Sequence, residues 1–417
     1  MDEPVTGERD HLREAPAFRL RLEWPGGEYF LGVTEGGFSL YVGSELAFHF
    51  DLEGRLRRAF KGGERFLRGL DGKVLRRTRP GKVGDRIPLE TATEVFQLAH
   101  DAVTGALAEL AAPAPAGPNA ATEARELLGR AARYTPARLE EEARRFLEVY
   151  EPLSIIPPDR YKALILQATV GCSYGKCAFC TLYRDVAYRR KTPEEFREHV
   201  RAVKRFLGRA LPLKSGVFLG EANAIEIPMK DLERMLESIH EELPEQVTPG
   251  PGRRGGISAF TDVFHENSKS RADLERLSSL GLDRVYLGIE SGDDEVLKSL
   301  RKPVTREAAA RRVRALKEAG LPVGVIFLVG AGGHPQGRSA RAHVEGTASL
   351  VGEFRLDTGD VVYLSPLYWE SPPQGVDQTQ LQLTEAEIAE EERELTERLR
   401  AQGIRVSRYD LRSFVYY

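Results

Sequence analysis

Leu164-Ile165-Leu166-Gln167-Ala168-Thr169-Val170-Gly171-Cys172-Ser173-Tyr174-Gly175-Lys176-Cys177-Ala178-Phe179-Cys180 is a strand-like run opening into a loop, and the loop holds all 3 cysteines of a 417-residue chain. Thiolates gathered this tightly read first as a soft-metal site. Structural zinc takes four ligands, and the loop supplies only cysteines 172, 177 and 180. A disulfide would use two thiols, strand the third and close a very small ring. A [4Fe–4S] cluster normally takes four thiolates. Held by three, it keeps one iron open to a substrate or cosubstrate. Of these readings the iron–sulfur cluster uses the residues most completely.

Composition bounds the rest. The length suits two or three domains with ample core. A net charge of −3 excludes a strongly basic protein. No apolar run approaches a membrane span. The opening residues Met1 to Glu8 lack the charged and apolar regions of a signal peptide. Reduced thiols and an oxygen-sensitive cluster predict a cytoplasmic protein.

Three segments are expected. Residues 1–110 read as a small antiparallel β-rich domain closed by a helix. Phe18, Leu20, Leu22 and Trp24 alternate with Arg19, Arg21 and Glu23, the period of a half-buried strand. Glycine turns follow at Pro25-Gly26-Gly27, Glu35-Gly36-Gly37, Gly43-Ser44, Glu53-Gly54, Lys61-Gly62-Gly63 and Asp71-Gly72. Thr91 and Glu94 form a capping-box pattern for a helix over about 89–110. The second half of this domain is basic, running from Arg55, Arg57 and Arg58 through Arg79, Lys82 and Arg86. It reads either as a solvated sheet face or as a surface for an anionic partner. Residues 111–160 read as a linker, rich in alternating Ala and Pro up to Asn119, followed by a helical connection over about 121–149.

From 161 to 417 strands and helices alternate, with strands near 163–170, 216–221, 256–260, 284–290, 323–330 and 359–365. Caps are legible at Thr192-Pro193-Glu194-Glu195, Ser270 with Asp273, Thr305 with Glu307, and Thr384 with Glu387. Gly281 and Gly320 fit the residue just past a helix end. Ile404 to Tyr417 reads as a final strand. Six β-α units imply an α/β fold, a parallel sheet curled into a partial (β/α)6 TIM-like barrel, with ligands at the C-terminal strand ends.

The cysteine loop resembles that of the radical S-adenosylmethionine (SAM) superfamily. Phe179 stands before the last cysteine, as that pattern requires. The spacing C-x4-C-x2-C departs from the usual C-x3-C-x2-C. Leu219-Gly220-Glu221 resembles the superfamily's GGE motif, with Leu219 in place of the first glycine. Arg284 to Lys302, with Gly288-Ile289-Glu290-Ser291-Gly292 at its centre, is similar to the fourth-strand signature of the MiaB/NifB-type domain.

The resemblance implies a single [4Fe–4S] cluster on Cys172, Cys177 and Cys180, with SAM chelating the open iron. Reductive cleavage of SAM would give a 5′-deoxyadenosyl radical that abstracts hydrogen from a substrate. It further implies SAM contacts at Phe179, Gly220, Glu221, Ser258, Glu290, Ser291 and Lys302. Glu221 would face the ammonium, Glu290 the ribose, Lys302 the carboxylate, and Ser258, ending the third strand, the sulfonium side. Val323 to Gly330 would carry the adenine. His334, in the loop after that strand, is a weak candidate for an acid, a base or a substrate contact. Tyr363 to Trp369 would line the substrate side or close the barrel. A flavodoxin or ferredoxin would supply electrons, and the substrate, unidentified, could be anionic.

With all cysteines used, nothing in this sequence holds a second cysteine-ligated cluster, and no D-x-H-x-x-G stretch points to cobalamin. The other class that fits is a non-catalytic metal or redox-sensing protein, binding nucleic acid through its basic N-terminal half.

Overall fold

The alternation at Leu20–Glu23 sets the first strand of an eight-stranded antiparallel sheet. The computed structural model describes residues 18–24, 28–78, 84–110, 118–250, 254–265, 269–334, 337–368 and 383–417. The Pro25-Gly26-Gly27 turn, Arg79, Lys82, Trp369 and the Ala-Pro stretch up to residue 117 lie outside them. The chain forms two compact units, one of residues 1–152, 201–214 and 412–417 and one of 153–200 and 215–411.

In unit one the strands are β1 (Leu20–Glu23), β2 (Tyr29–Val33), β3 (Gly37–Val42), β4 (Leu46–Asp51), β5 (Leu56–Lys61), β6 (Glu64–Arg68), β7 (Val74–Arg77) and β8 (Asp85–Arg86). They pair in chain order as a meander. One sheet face is apolar, with Leu31, Leu40, Phe48 and Ala59 buried. Against it pack α1 (Leu89–Glu109), α2 (Pro118–Ala131) and α3 (Pro136–Val149), which share one core with the sheet. The Trp24 indole N–H donates to the Ala106 carbonyl at 3.1 Å, tying β1 to α1.

Two expectations change here. The Thr91–Glu94 capping box is not formed, because α1 begins at Leu89 after Pro88 and has no side-chain cap. The single helix expected over 121–149 is broken. Thr135 caps α3 by accepting from the Arg138 N–H, and Pro136 at the first helical position disfavours helical backbone at Thr135.

The basic half does not form one face. Arg55 is buried, donating to Asp51 at 3.1 Å and to Glu142 at 3.0 Å. Arg68 is buried and donates to the carbonyls of Leu56 and Leu139. Arg57 lies over the Tyr417 ring, whose hydroxyl donates to Asp51 at 3.0 Å. These cations serve unit one's interior. Correspondingly, the last residues are not a strand: β17 (Val406–Arg408) is short, and Tyr416 and Tyr417 pack into this same interior.

Unit two is a partial barrel built on a seven-stranded parallel sheet: the six alternating strands and, at one edge, β17 from within the expected final strand. Its order is β17, β16 (Val361–Pro366), β15 (Val323–Val329), β14 (Leu282–Glu290), β13 (Ile257–Thr261), β12 (Val217–Gly220) and β9 (Leu164–Gln167). A two-stranded ribbon, β10 (Thr169–Val170) with β11 (Arg189–Arg190), flanks the cysteine loop. The connecting helices are α4 (Pro193–Leu207), α5 (Met229–Glu242), α6 (Pro244–Val247), α7 (Arg271–Ser279), α8 (Asp294–Ser299), α9 (Arg306–Glu318), α10 (Arg338–Glu353) and α11 (Glu385–Ala401). The capping boxes at Ser270 and Thr384 are formed, and Gly281 and Gly320 take positive φ past their helices.

Tyr286 and Tyr363 each donate a hydroxyl to Asp159, which precedes β9, at 2.8 and 2.6 Å. Arg284 donates to the same carboxylate at 3.1 Å. Gly324 makes room for this aromatic group, since a Cβ there would sit 2.4 Å from the Tyr286 ring. The plug belongs to the end of the sheet from which β9 starts, so ligand chemistry falls to the opposite end.

Candidate active site

The C-terminal strand ends carry the candidate residues. After β9 and β10, Gly171 takes φ +68°, a left-handed turn that glycine adopts without strain, and the chain swings into the cysteine loop. Cys172, Cys177 and Cys180 are half-buried free thiols. The loop is seated on the turn after α8. The Ala178 N–H donates to the Leu300 carbonyl and the Tyr174 hydroxyl to the Arg301 carbonyl, both at 2.9 Å. Phe179 packs against Val296, Leu300, Leu328, Ala331 and Leu367, gathering residues that follow β14, β15 and β16. Burial pushes the Cys177 thiol up to about 12, partly opposed by the Lys302 ammonium. Burial also raises Cys180, against backbone hydrogen bonds that lower it.

Glu221 follows β12 and is buried. Its carboxylate accepts from the Ser154 N–H at 3.2 Å, from the Ser154 hydroxyl, from the Tyr183 hydroxyl at 3.3 Å and from the Gln167 amide at 3.2 Å. Burial raises its pKa and these donors pull it back. Asn223 takes φ +61°, a conformation asparagine tolerates, and its amide donates to the Ser173 hydroxyl at 2.7 Å.

At the end of β14, Glu290 takes φ +73° and its carboxylate accepts from the Lys302 ammonium at 3.0 Å. Burial alone would lower the Lys302 pKa. The Glu290 carboxylate, together with Cys177 and Cys172, outweighs it and raises the pKa. Lys302 also lies 6.0 Å from the centre of the Phe179 ring. Ser291 is fully buried and bonds His343 Nδ1 at 2.8 Å. His343 Nε2 meets the Leu328 carbonyl at 2.9 Å, so Nε2 carries the proton and Ser291 donates to Nδ1. Burial depresses His343 to about 4, keeping it neutral.

The sequence-predicted residues therefore divide. Phe179, Glu290 and Lys302 gather on the cysteine loop, and Asn223, two residues past Glu221, bonds its Ser173. Ser258 does not end its strand. It is the second residue of β13, and its hydroxyl donates to the Val217 carbonyl at 3.3 Å. Thr261 and Asp262 occupy the strand end instead. His334 is exposed, its Nε2 3.6 Å from Glu387 on α11.

Sequence reasoning missed the groups that hold these residues. Ser154, Tyr183 and Gln167 meet Glu221 from distant segments. Asp262 accepts from the His265 backbone N–H and pairs with His265 Nδ1, both at 2.8 Å, and the imidazole is half-exposed. Buried Arg312 donates to Glu226 at 2.7 Å and Thr261 at 2.8 Å, bracing the ends of β12 and β13. Only Asn223, two residues past the Leu219-Gly220-Glu221 motif, carried a local signal.

The radical SAM superfamily profile matches residues 166–337, the stretch that builds this site. Residues 166–337 form a radical SAM superfamily domain. Among similar proteins, a Methanocaldococcus jannaschii protein provisionally named a methylthiotransferase is 26% identical over 190 residues, 44% of this chain and 40% of that one. The 4′-phospho-dehydrooxetanocin synthase of Priestia megaterium is 24% identical over 177 residues, 40% of this chain and 23% of that one. The chain thus spans less than half the length of either relative. The solved structure of Escherichia coli coproporphyrinogen III oxidase, a radical SAM enzyme, aligns over 62% of this chain and 56% of its own, at 13% identity and a TM-score of 0.39.

The superfamily's cofactors are a [4Fe–4S] cluster and SAM, and the radical SAM site of this chain fits the cluster. Its donors are three free thiols in one loop. Among the described residues no three His, Cys, Asp or Glu side chains are grouped to hold a single metal ion. A cubane takes one thiolate per iron, so its ligands stand apart. Likewise, among the described residues no helix is long and apolar enough to cross a membrane.

Proposed function

We propose that this radical SAM enzyme cleaves SAM reductively at one cluster held by Cys172, Cys177 and Cys180. Cys172, Cys177 and Cys180 would hold the cluster, which when bound would supply one-electron reduction of SAM to methionine and a 5′-deoxyadenosyl radical able to take a hydrogen atom from the substrate. The observation that carries this reading is the seating of the cysteine loop on the turn after α8, with its Phe179 beside Lys302 and Lys302 paired with Glu290.

The chain's own residues then have separable tasks. Lys302 offers a buried cation to the SAM carboxylate, and Glu290 offers its second oxygen to the ribose. Glu221, anchored by its neighbours, presents a fixed carboxylate edge to the ammonium, with the Gly220 carbonyl beside it. Ser291 holds the turn after β14 through His343. Phe179 screens one side from water. Proton transfer to or from the substrate falls to His265. Asp262 fixes its Nδ1–H and leaves Nε2 to accept. A small flavin or iron–sulfur protein, such as flavodoxin or ferredoxin, delivers the electron.

Anaerobic reconstitution with iron and sulfide tests this, followed by reduction with and without SAM, EPR and assay of 5′-deoxyadenosine. A cubane signal that shifts with SAM, together with released deoxyadenosine, is expected. A cluster indifferent to SAM would refute it. Against the redox-sensing, nucleic-acid-binding alternative stands the inward placement of Arg55, Arg57 and Arg68.

A further inference from the structure

Helix α2 presents a surface that its packing does not explain. Its inner side, with Ala124, Leu127, Leu128 and Ala131, lies in the core of unit one. Elsewhere on the helix and just past its end, Arg125, Glu126, Gly129, Arg130 and Arg133 line an open cleft, which Arg209 completes from the short helical turn Gly208–Leu213. The cleft measures about 500 Å³, in the range of small-molecule sites.

Four guanidinium-bearing residues line it against one carboxylate, that of Glu126. Arg125 donates to the Leu110 carbonyl at 3.0 Å, and the Arg209 backbone N–H donates to Glu53 at 2.7 Å. Among the described residues no ion pair holds Arg130 or Arg133, and the Arg130 Nε is buried with no hydrogen-bond partner. A buried donor left in that state calls for a ligand, an ion or a water. Burial lowers the Arg130 pKa, and the charges of Arg209 and Arg133 add to the effect.

Gly129 is the second, independent observation. Glycine weakens a helix interior relative to alanine. A Cβ at Gly129 would meet no atom within 4 Å. No neighbour requires the glycine, and its effect is to leave the floor of the cleft bare.

We propose that this cleft binds a small phosphorylated ligand through its di- or polyphosphate group. Guanidinium forks match phosphate oxygens two at a time, and several forks around one concavity match linked phosphates. Nucleic acid is the poorer fit. It needs a track of cations along a strand, and the neighbouring Arg55 and Arg68 are turned into the core.

The test is calorimetric titration of the full chain with inorganic pyrophosphate at about 0.15 M ionic strength, with a short single-stranded RNA titrated separately. Saturable one-to-one binding of pyrophosphate is expected. Arg133→Glu and Arg209→Glu should each weaken it at least about tenfold, the loss of one charge-assisted contact. Gly129→Leu keeps all four arginines and fills the floor. It should weaken binding as much without lowering the melting temperature, which separates a blocked site from a damaged helix. Arg58→Glu, exposed on β5, should change nothing. The proposal is overturned if pyrophosphate does not bind, if the three cleft variants bind it like the parent, or if RNA binds more tightly with a steep salt dependence. None of these variants touches the cysteine loop. Failure here leaves SAM-dependent deoxyadenosine release intact, and loss of that release leaves pyrophosphate binding intact.

Discussion

Replacing Lys302 by Met separates the buried ion pair from the rest of the candidate site. Lys302 and Glu290 meet at 3.0 Å with side chains only 12% and 8% exposed. Removing one partner of such a pair strands the other charge in a dry environment, which costs about 3–5 kcal/mol. For a unit of roughly 250 residues, about 3 kcal/mol lowers the melting temperature by about 6–12 °C. The Lys302 pKa is raised in the folded protein. The pair's contribution is therefore complete below the ordinary lysine value and is lost only as pH rises through the raised one. Across pH 6 to 8 the destabilisation by Lys302→Met should be flat. Glu290→Gln in the same background removes the stranded charge and should recover at least half of the loss.

The assay is a double-mutant cycle on thermal unfolding, with all four proteins prepared at equal iron content. Titration with SAM runs alongside. The rescued double variant should still bind SAM poorly, because it lacks the cation for the carboxylate. A single variant within about 0.5 kcal/mol of the parent would refute the claim that the pair is buried and coupled. Recovery of SAM affinity with stability would refute the ligand role of Lys302.

Alanine at Cys172, Cys177 or Cys180 should each abolish iron and sulfide loading, whereas Ser173→Ala should retain most of it; metal analysis decides. Glu391 is buried, accepts from the Gly330 N–H at 2.6 Å, and has its pKa raised by burial to about 7. A carboxyl raised in this way contributes stability below its ordinary value near 4.5 and loses it as pH rises through about 7. Glu391→Gln should thus gain up to about 3 kcal/mol over the parent at pH 8 and nothing near pH 4, read by chemical denaturation across pH. Gly324→Ala should cost about 1–3 kcal/mol by driving a methyl into the Tyr286 ring, and Tyr286→Leu in the same background should relieve part of it. His265→Gln should leave cluster loading and SAM-dependent EPR shifts unchanged and slow only substrate-coupled turnover.

Much of unit two was legible because its signals are local. Strand periods, glycines after helices and the capping boxes at Ser270 and Thr384 each depend on a few consecutive residues, and they place the ends of β12 to β16 within one or two residues. The cysteine loop and the Glu290–Lys302 segment were legible for the same reason. The failures came where a partner is distant in the chain. Nothing near Arg55 tells that Asp51 and Glu142 will bury it. Ser258 was misplaced because a sheet's register is set by its neighbours: pairing with Phe218 and Arg284 fixes Ser258 near the start of β13.

The same distinction applies to chemistry. The residues proposed to hold the cluster and the common part of a cosubstrate lie in contiguous motifs, because one loop and one strand end suffice to position them. The groups that tune those residues reach them across the fold: Ser154 and Tyr183 on Glu221, His343 on Ser291, Arg312 on Glu226 and Thr261. Each supplies hydrogen bonds to a buried polar atom that would otherwise be left unsatisfied, at about 1–3 kcal/mol apiece. Such a partner can be drawn from any segment that passes within reach. The Asp262–His265 pair belongs to this class although its members are neighbours in sequence, because an Asp three residues before a His has no meaning until a strand end places it beside a site. If His265→Gln behaves as expected, the substrate side of this enzyme is to be sought in what faces the ends of β12 and β13, where the braced Glu226–Thr261–Arg312 group ends and the half-exposed imidazole begins.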